Sequence, residues 1–395
     1  MKVFSFVVFL ILAIFPFGQL TRLPVGIPEV NVYLQDLVIA ILVLSWFFYH
    51  FRAKKPFYKP LLTWPILSFF LVATLSLVVN LPRLQVREAL IASLYLWRWI
   101  FYAGIYFIVC EISKYRNMEI SRLKYGLVFA GTIAAILGLV QYFIYPDLSN
   151  LVYLDWDPHK YRIFGTFFDP GFLGIISVLT LILIVISYIN MSYKLAWKKR
   201  ILILAGILVY LVLALTYSRA SYLAYLGGMG IIAWIKKVPK FFLAVLLLGV
   251  LTILVLPRPS GSEGVRLERE ESAWGRIKNW GQAVTIVKDK PIFGVGFNTY
   301  RYAQRDYGFL GKENWQESHS GAGVDSSLFF VLATTGVLGL SVYLWLWKKI
   351  LGIKDLAVLA SIAALFVHSW FLNSLFYPWI MLWVWILAGS VKANN

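Results

Sequence analysis

The chain has 395 residues, 60% of them hydrophobic and 14% charged, with a formal net charge of +18. A soluble domain carries about 25% charged residues, so this composition excludes one. The single cysteine, Cys110, excludes an intramolecular disulfide and a CxxC metal site.

Apolar runs recur at the length of about 20 residues that a hydrocarbon core of roughly 30 Å requires. About twelve spans are predicted, near residues 3–19, 32–51, 61–81, 89–111, 125–145, 170–190, 200–216, 219–235, 241–256, 324–346, 355–372 and 375–391. The first has the charge and apolar run of a signal peptide, but no small-residue cleavage site follows, so a transmembrane helix is expected. Strand alternation of the outer-membrane barrel kind does not appear. The fold class is therefore an all-α polytopic membrane protein. No internal repeat is evident, which argues against a transporter built from inverted halves.

Basic residues alternate from connector to connector. One side carries Arg52, Lys54, Lys55 and Lys59, then Lys114 to Lys124, Lys194 to Arg200, Lys236 to Lys240, and Lys348 to Lys354. The short connectors of the other side hold one or two positive charges each. By the positive-inside rule both termini are cytoplasmic. The net charge thus has a topological cause, and nucleic acid is not expected as a partner; membrane lipids are.

The long connector at 257–323 is then extracytoplasmic. It holds eight of the chain's nineteen carboxylates against ten Lys and Arg. A second outer connector, about 146–168, carries Tyr153, Trp156, Tyr161 and Arg162, residue types suited to sugar faces and hydroxyls. Four scattered histidines give no metal cluster, so neither metal nor cofactor is expected.

Five residues are candidates for chemistry. Arg98, between Trp97 and Trp99, lies ten residues into a span and needs a partner or a watery cavity. Arg219 sits at a tight outer junction, Tyr217-Ser218-Arg219-Ala220-Ser221, where its fork suits phosphate oxygens or headgroups. Arg276 opens a helical pattern that Asp289-Lys290-Pro291 stops, and Pro291-Ile292-Phe293-Gly294-Val295-Gly296-Phe297 follows as a turn. His319 lies in the loop. Asp325, at the outer start of a span, either complements a helix dipole or acts as a general base.

Taken in order, these segments resemble the O-antigen ligase and O-antigen polymerase superfamily of bacterial envelope glycosyltransferases. The resemblance is strongest from about 200 to 345. It rests on Leu215-Thr216-Tyr217-Ser218-Arg219-Ala220, Gly275-Arg276 with Trp280, Asp289 to Gly296, and Asp325-Ser326-Ser327-Leu328 running into Thr335 to Gly339. Tyr161 to Phe167 with Pro170 also look like this family.

The resemblance implies a GT-C-like helical enzyme of the bacterial inner membrane. It would move a glycan from an undecaprenyl-pyrophosphate carrier to a hydroxyl on a glycan, lipid or protein acceptor, without metal. Arg219 and Arg276 match the two arginines that hold the pyrophosphate, and Arg98 is a further candidate. Where the ligases commonly carry a His-Asn pair this chain has Asp325-Ser326, so Asp325 and His319 both stand as the base. Three regions are expected: 1–199 of transmembrane helices, 200–346 as the ligase-like core, and 347–395 as closing helices. A flippase of lipid-linked glycans is the alternative. Clustering of the polar residues on the outer side, rather than through the full membrane depth, favours transfer.

Overall fold

The computed structural model describes residues 1–115, 117–154, 157–192, 195–311, 315 and 323–391, with the side chains of 117–120 and 152–154 also undescribed. His319 and Trp156 lie outside the described residues, as does the side chain of Tyr153.

A helix stands at each of the twelve predicted positions. The first nine are α1 (Lys2–Ile14), α2 (Leu34–Arg52), α3 (Thr63–Asn80), α4 (Val86–Tyr115), α5 (Asn117–Ile144), α6 (Pro170–Asn190), α7 (Ala196–Leu215), α8 (Arg219–Lys236) and α9 (Pro239–Val255). The long loop folds into α10 (Glu271–Asp289) and α11 (Tyr300–Asp306). Then come α12 (Ser327–Leu351), α13 (Leu356–Ser369) and α14 (Pro378–Gly389). A two-residue hairpin, β1 (Arg22–Leu23) against β2 (Val32–Tyr33), joins α1 to α2. Among the described residues, seven helices are long and apolar enough to cross a membrane: α1 with its following turn, α2 to α6, and α12. The apolar α9, α13 and α14 are shorter, and α7 and α8 carry basic residues at their ends.

Side chains fix several helix starts. Asp169 Oδ1 accepts from the amides of Gly171 and Phe172 at 2.6 and 2.9 Å, and Pro170 occupies the first position of α6. Ser218 caps α8 by accepting from Ser221 N at 3.3 Å. Asp355 caps α13 and also receives Lys124 Nζ at 2.9 Å, tying α5 to the start of α13. In the bundle, α14 is buried on every face, as a helix apolar all round should be. On α9 only Val245 is buried, so this helix turns its large side chains outward.

The decisive local feature is a break in α12. Gly336 has φ +67° and ψ −169°, which interrupts the helical hydrogen bonds. The 291–297 segment fills the gap. Val295 N and Gly296 N donate to the carbonyls of Ala333 and Thr334, both at 3.0 Å, and Val337 N donates to Pro291 O at 2.8 Å. From α3, Ser76 Oγ lies 2.6 Å from Phe293 O and 2.7 Å from Thr334 O, and Asn80 Nδ2 donates to Gly294 O at 3.1 Å. What the sequence suggested was a turn in a wet loop is a splint packed among helices, with Phe297, Thr299 and Tyr300 buried behind it. The physical reason is that a broken helix surrounded by apolar groups must find partners for its freed backbone.

Two glycines make the splint possible. A Cβ on Gly336 would lie 2.1 Å from Ile292 O, and one on Gly294 (φ +64°) would lie 2.5 Å from the Thr334 carbonyl carbon. Gly336→Ala and Gly294→Ala should each destabilise the protein by at least about 1–3 kcal/mol through backbone strain. Gly249→Ala on α9, where nothing lies within 4 Å, should be neutral or stabilising. Thermal unfolding in detergent separates the three.

Candidate active site

The 146–168 and 257–323 connectors meet the starts of α6, α8 and α12 at one end of the bundle. Here the backbone is strained. Of six non-glycine residues with positive φ among those described, Tyr161, Phe168, Tyr217 and Asn298 fall at this end. Such conformations cost about 1–3 kcal/mol each and persist where neighbours enforce them. At Tyr217 the enforcing neighbour is Arg162. Its Nε donates to Thr216 O at 2.9 Å, and Ile163 N donates to Leu215 O at 2.9 Å. Arg162 is buried, so it supports the α7–α8 junction rather than lining a cavity for sugar. Tyr161 also stays out of the cavity wall and lies under the Lys160 ammonium, 5.3 Å from its ring centroid.

Arg219 begins α8 and reaches into the long loop. Its Nη1 donates to Leu267 O at 3.2 Å and Arg269 O at 2.9 Å, and its Nη2 donates to Ser272 Oγ at 2.5 Å. Ser272 and Arg276 are four residues apart on α10, hence on one face. The junction arginine and the loop arginine are therefore neighbours. Among the described residues Arg276 donates no hydrogen bond; its guanidinium lies 6.0 Å from the Phe371 ring centroid, so its donors remain uncommitted. Burial lowers its pKa, the Asp325 carboxylate opposes that shift, and Arg219 adds to it.

Asp325 is placed by α10. Asn279 Oδ1 accepts from Asp325 N at 2.8 Å, and Trp280 Nε1 donates to Asp325 O at 3.2 Å. Its carboxyl is exposed and opens to a cavity, with protein gathered around it on the other sides. Burial raises its pKa above the usual carboxylate value, and Arg276 pulls the other way.

That cavity has a volume of about 400 Å³ and runs from Asp325 to Arg98. Asp157, His159 and Asp169 also line it. Neither Arg219 nor Arg276 does; Asp325 lines the cavity and is also within electrostatic reach of Arg276. Arg98 has the partner its depth demanded: Nη2 meets Asp36 Oδ2 at 2.7 Å. Its guanidinium faces the rings of Tyr95 and Tyr33, at 4.8 and 5.7 Å, and not the flanking tryptophans. Because Asp36 neutralises it, Arg98 is a wall of the cavity rather than a third member of the arginine group. Two cavity-lining amide oxygens, Oδ1 of Asn31 and of Asn373, have no hydrogen-bond partner among the described residues. Buried polar atoms are seldom left without a partner, so these two oxygens are able to accept a hydrogen bond from whatever occupies the cavity, water included.

Four site residues escaped the sequence reading. Arg269 sits in a charge run that looks merely solvated, but burial, with Arg219 and Arg276 nearby, lowers its pKa to about 10. Asp169 precedes the Pro170 that opens α6 and drew no notice in the sequence. Burial, and Asp157 close by, raise its pKa. His159 is driven well below the ordinary histidine range by burial and then by Arg162 and Arg269, so it is neutral. His368 is buried in α13, with Nδ1 2.6 Å from Ser374 Oγ and Nε2 3.3 Å from Ser221 Oγ, joining α13 to the start of α8. No local motif announces any of these; each depends on packing between distant segments.

The Arg219 bonds imply that the residue latches the 257–270 stretch. Arg219→Ala should accelerate tryptic cleavage at Arg258, Arg266 or Arg269 several-fold in the purified protein, with Arg219→Lys in between. Equal resistance in wild type and alanine variant would show that other contacts hold the loop.

The chain is similar to known proteins. A family model described as O-antigen ligase matches residues 203–344. A protein of Rickettsia bellii (strain RML369-C) named "Putative polysaccharide ligase" is 23% identical over 299 residues, covering 72% of this chain and 68% of the relative. The match begins in α7, takes in Arg219, Arg276 and Asp325, and ends beyond the break in α12, so it is this stretch that is similar to the O-antigen ligase family.

Proposed function

We propose that this protein is a membrane glycan ligase that uses an undecaprenyl-pyrophosphate-linked glycan as donor. The observation that carries this reading is that Asp325 lines a cavity of about 400 Å³ and lies within electrostatic reach of Arg276, itself a neighbour of Arg219. A diphosphate belongs on the arginine side, where Arg276 keeps its fork available. The acceptor hydroxyl belongs on the cavity side, within reach of the carboxylate.

In the step we propose, the acceptor oxygen attacks the anomeric carbon as the bond to the diphosphate oxygen breaks. The electron pair leaves with the diphosphate, and the arginines stabilise the growing negative charge. Asp325 takes the proton from the acceptor hydroxyl. In-line displacement inverts the anomeric centre. Protonation of His159 is disfavoured by burial first and then by the Arg162 and Arg269 guanidiniums. The topology that goes with this chemistry has twelve spans, both termini cytoplasmic, and the site at the outer face of the bacterial inner membrane. The acceptor is a lipid core in a ligase, or a growing glycan in a polymerase.

Incubation of the purified protein with a defined undecaprenyl-pyrophosphate glycan tests this. Carrier diphosphate should be released only when an acceptor is present. Asp325→Asn should lower kcat by about 10²–10⁴-fold while donor binding persists. Translocation of intact lipid, with no release under any acceptor, would sink the proposal in favour of a flippase.

The pH profile gives a second check. The active carboxylate form is lost as pH falls through the Asp325 pKa, which burial has raised, so the acid limb should begin above the ordinary aspartate range. Removing Arg276 removes the opposing cation. The residual activity of Arg276→Ala should therefore show its acid limb shifted to still higher pH, while Arg276→Lys should keep the limb near its wild-type position.

A further inference from the structure

A second cavity, of about 680 Å³, lies at the far end of the bundle, between the start of α1, the 53–62 connector and the end of α4. Along α2 it is fourteen residues from Asp36, or about 21 Å of helix, so it is separate from the site above. Three lysines border it, Lys55, Lys59 and Lys114, with walls that are largely aromatic, including Tyr49, Phe57 and Tyr58.

The lysine ammoniums are held over rings and not by carboxylates. Lys114 Nζ lies 4.8 Å from the Tyr58 centroid, Lys55 Nζ 5.1 Å from that of Tyr49, and Lys59 Nζ 5.9 Å from that of Trp64. Among the described residues none of the three forms an ion pair. The one carboxylate in the wall, Glu111, is buried and already engaged: its Oε2 receives Trp46 Nε1 at 2.7 Å and meets His50 Nε2 at 3.0 Å. The cavity therefore presents three positive charges above an apolar, aromatic floor, at the end of helices apolar enough to span a bilayer. Cations of this kind attract a phosphate, while the floor suits the glycerol and first methylenes attached to one; basic pockets between membrane helices recognise anionic headgroups in this manner.

We propose that this cavity is a binding site for the phosphate headgroup of an anionic phospholipid. The full-length protein, purified in neutral detergent, is titrated with phosphatidylglycerol, with phosphatidylcholine, or with inorganic phosphate, and lipid retention is read by native mass spectrometry. Phosphatidylglycerol should bind in preference to phosphatidylcholine. The variant K55A/K59A/K114A should lose that preference, by about fivefold for each lysine removed, and K55R/K59R/K114R should retain most of it. The control K236A/K237A/K240A removes the same charge from the α8–α9 connector and should leave binding intact. Equal loss in both alanine triples would overturn the proposal in favour of diffuse charge. So would competition by inorganic phosphate at the affinity of the lipid, which would make free phosphate the ligand. Absence of any preference in the wild type would overturn it outright.

Discussion

The arrangement of the end of the bundle that holds the candidate site depends on one exchange of hydrogen bonds, between the broken α12 and the 291–297 segment. A helix interrupted among apolar neighbours leaves donors and acceptors that water cannot reach, and each would cost several kcal/mol if left bare. The loop answers them on both sides of Gly336. In doing so it surrenders its freedom. Once Val295 and Gly296 are bonded to α12, α10 is held across the start of that same helix, and Asn279 and Trp280 grip the backbone of Asp325. A long polar loop thereby positions a carboxylate with the rigidity of a helix bundle. The strain at Tyr217 has a parallel origin, since Arg162 holds the α7–α8 junction in the shape that aims Arg219 outward.

The electrostatics follow from that crowding. Arg162, Arg269 and Arg276 all have lowered pKa values, chiefly through burial, and each feels at least one other arginine. For Arg162 the value is about 9 and for Arg269 about 10, so both stay charged at neutral pH. Like charges gathered in a half-dry site raise the free energy of the empty protein. An anion that enters relieves this repulsion, and the fixed cations need little reorganisation as its charge grows. Arg219 contributes differently. Its bonds to Leu267, Arg269 and Ser272 hold the loop that brings the other cations near.

The helices were largely legible in the sequence because their signal is local: runs of about 20 apolar residues, closed by Pro, Gly or basic connectors. The motifs at Arg219, Arg276 and Asp325 were legible as junctions and helix starts, and the resemblance joined them. Their roles within the site were less visible. Arg162 looked like a sugar contact, but its guanidinium is committed to backbone carbonyls 54 residues away. The glycines at 294 and 296 looked like a loop turn, since no local pattern shows that Gly336 breaks a span they will splint. Asp169 and His368 were invisible because their surroundings come from segments distant in sequence.

The substitution of Asp325 for the histidine that the resemblance led one to expect has a physical logic. A histidine placed beside arginines in a poorly hydrated site is pushed toward low pKa by burial and by repulsion together, as His159 is here. Both influences then act against the protonated form, and the imidazole becomes a weak base. For a carboxylate the two oppose one another. Burial raises the pKa of Asp325 while Arg276 lowers it, so the cation offsets part of the penalty that burial places on the charged form. With Arg276 close at hand and Arg219 and Arg269 near it, a carboxylate at this position meets an attractive charge where an imidazolium would meet a repulsive one.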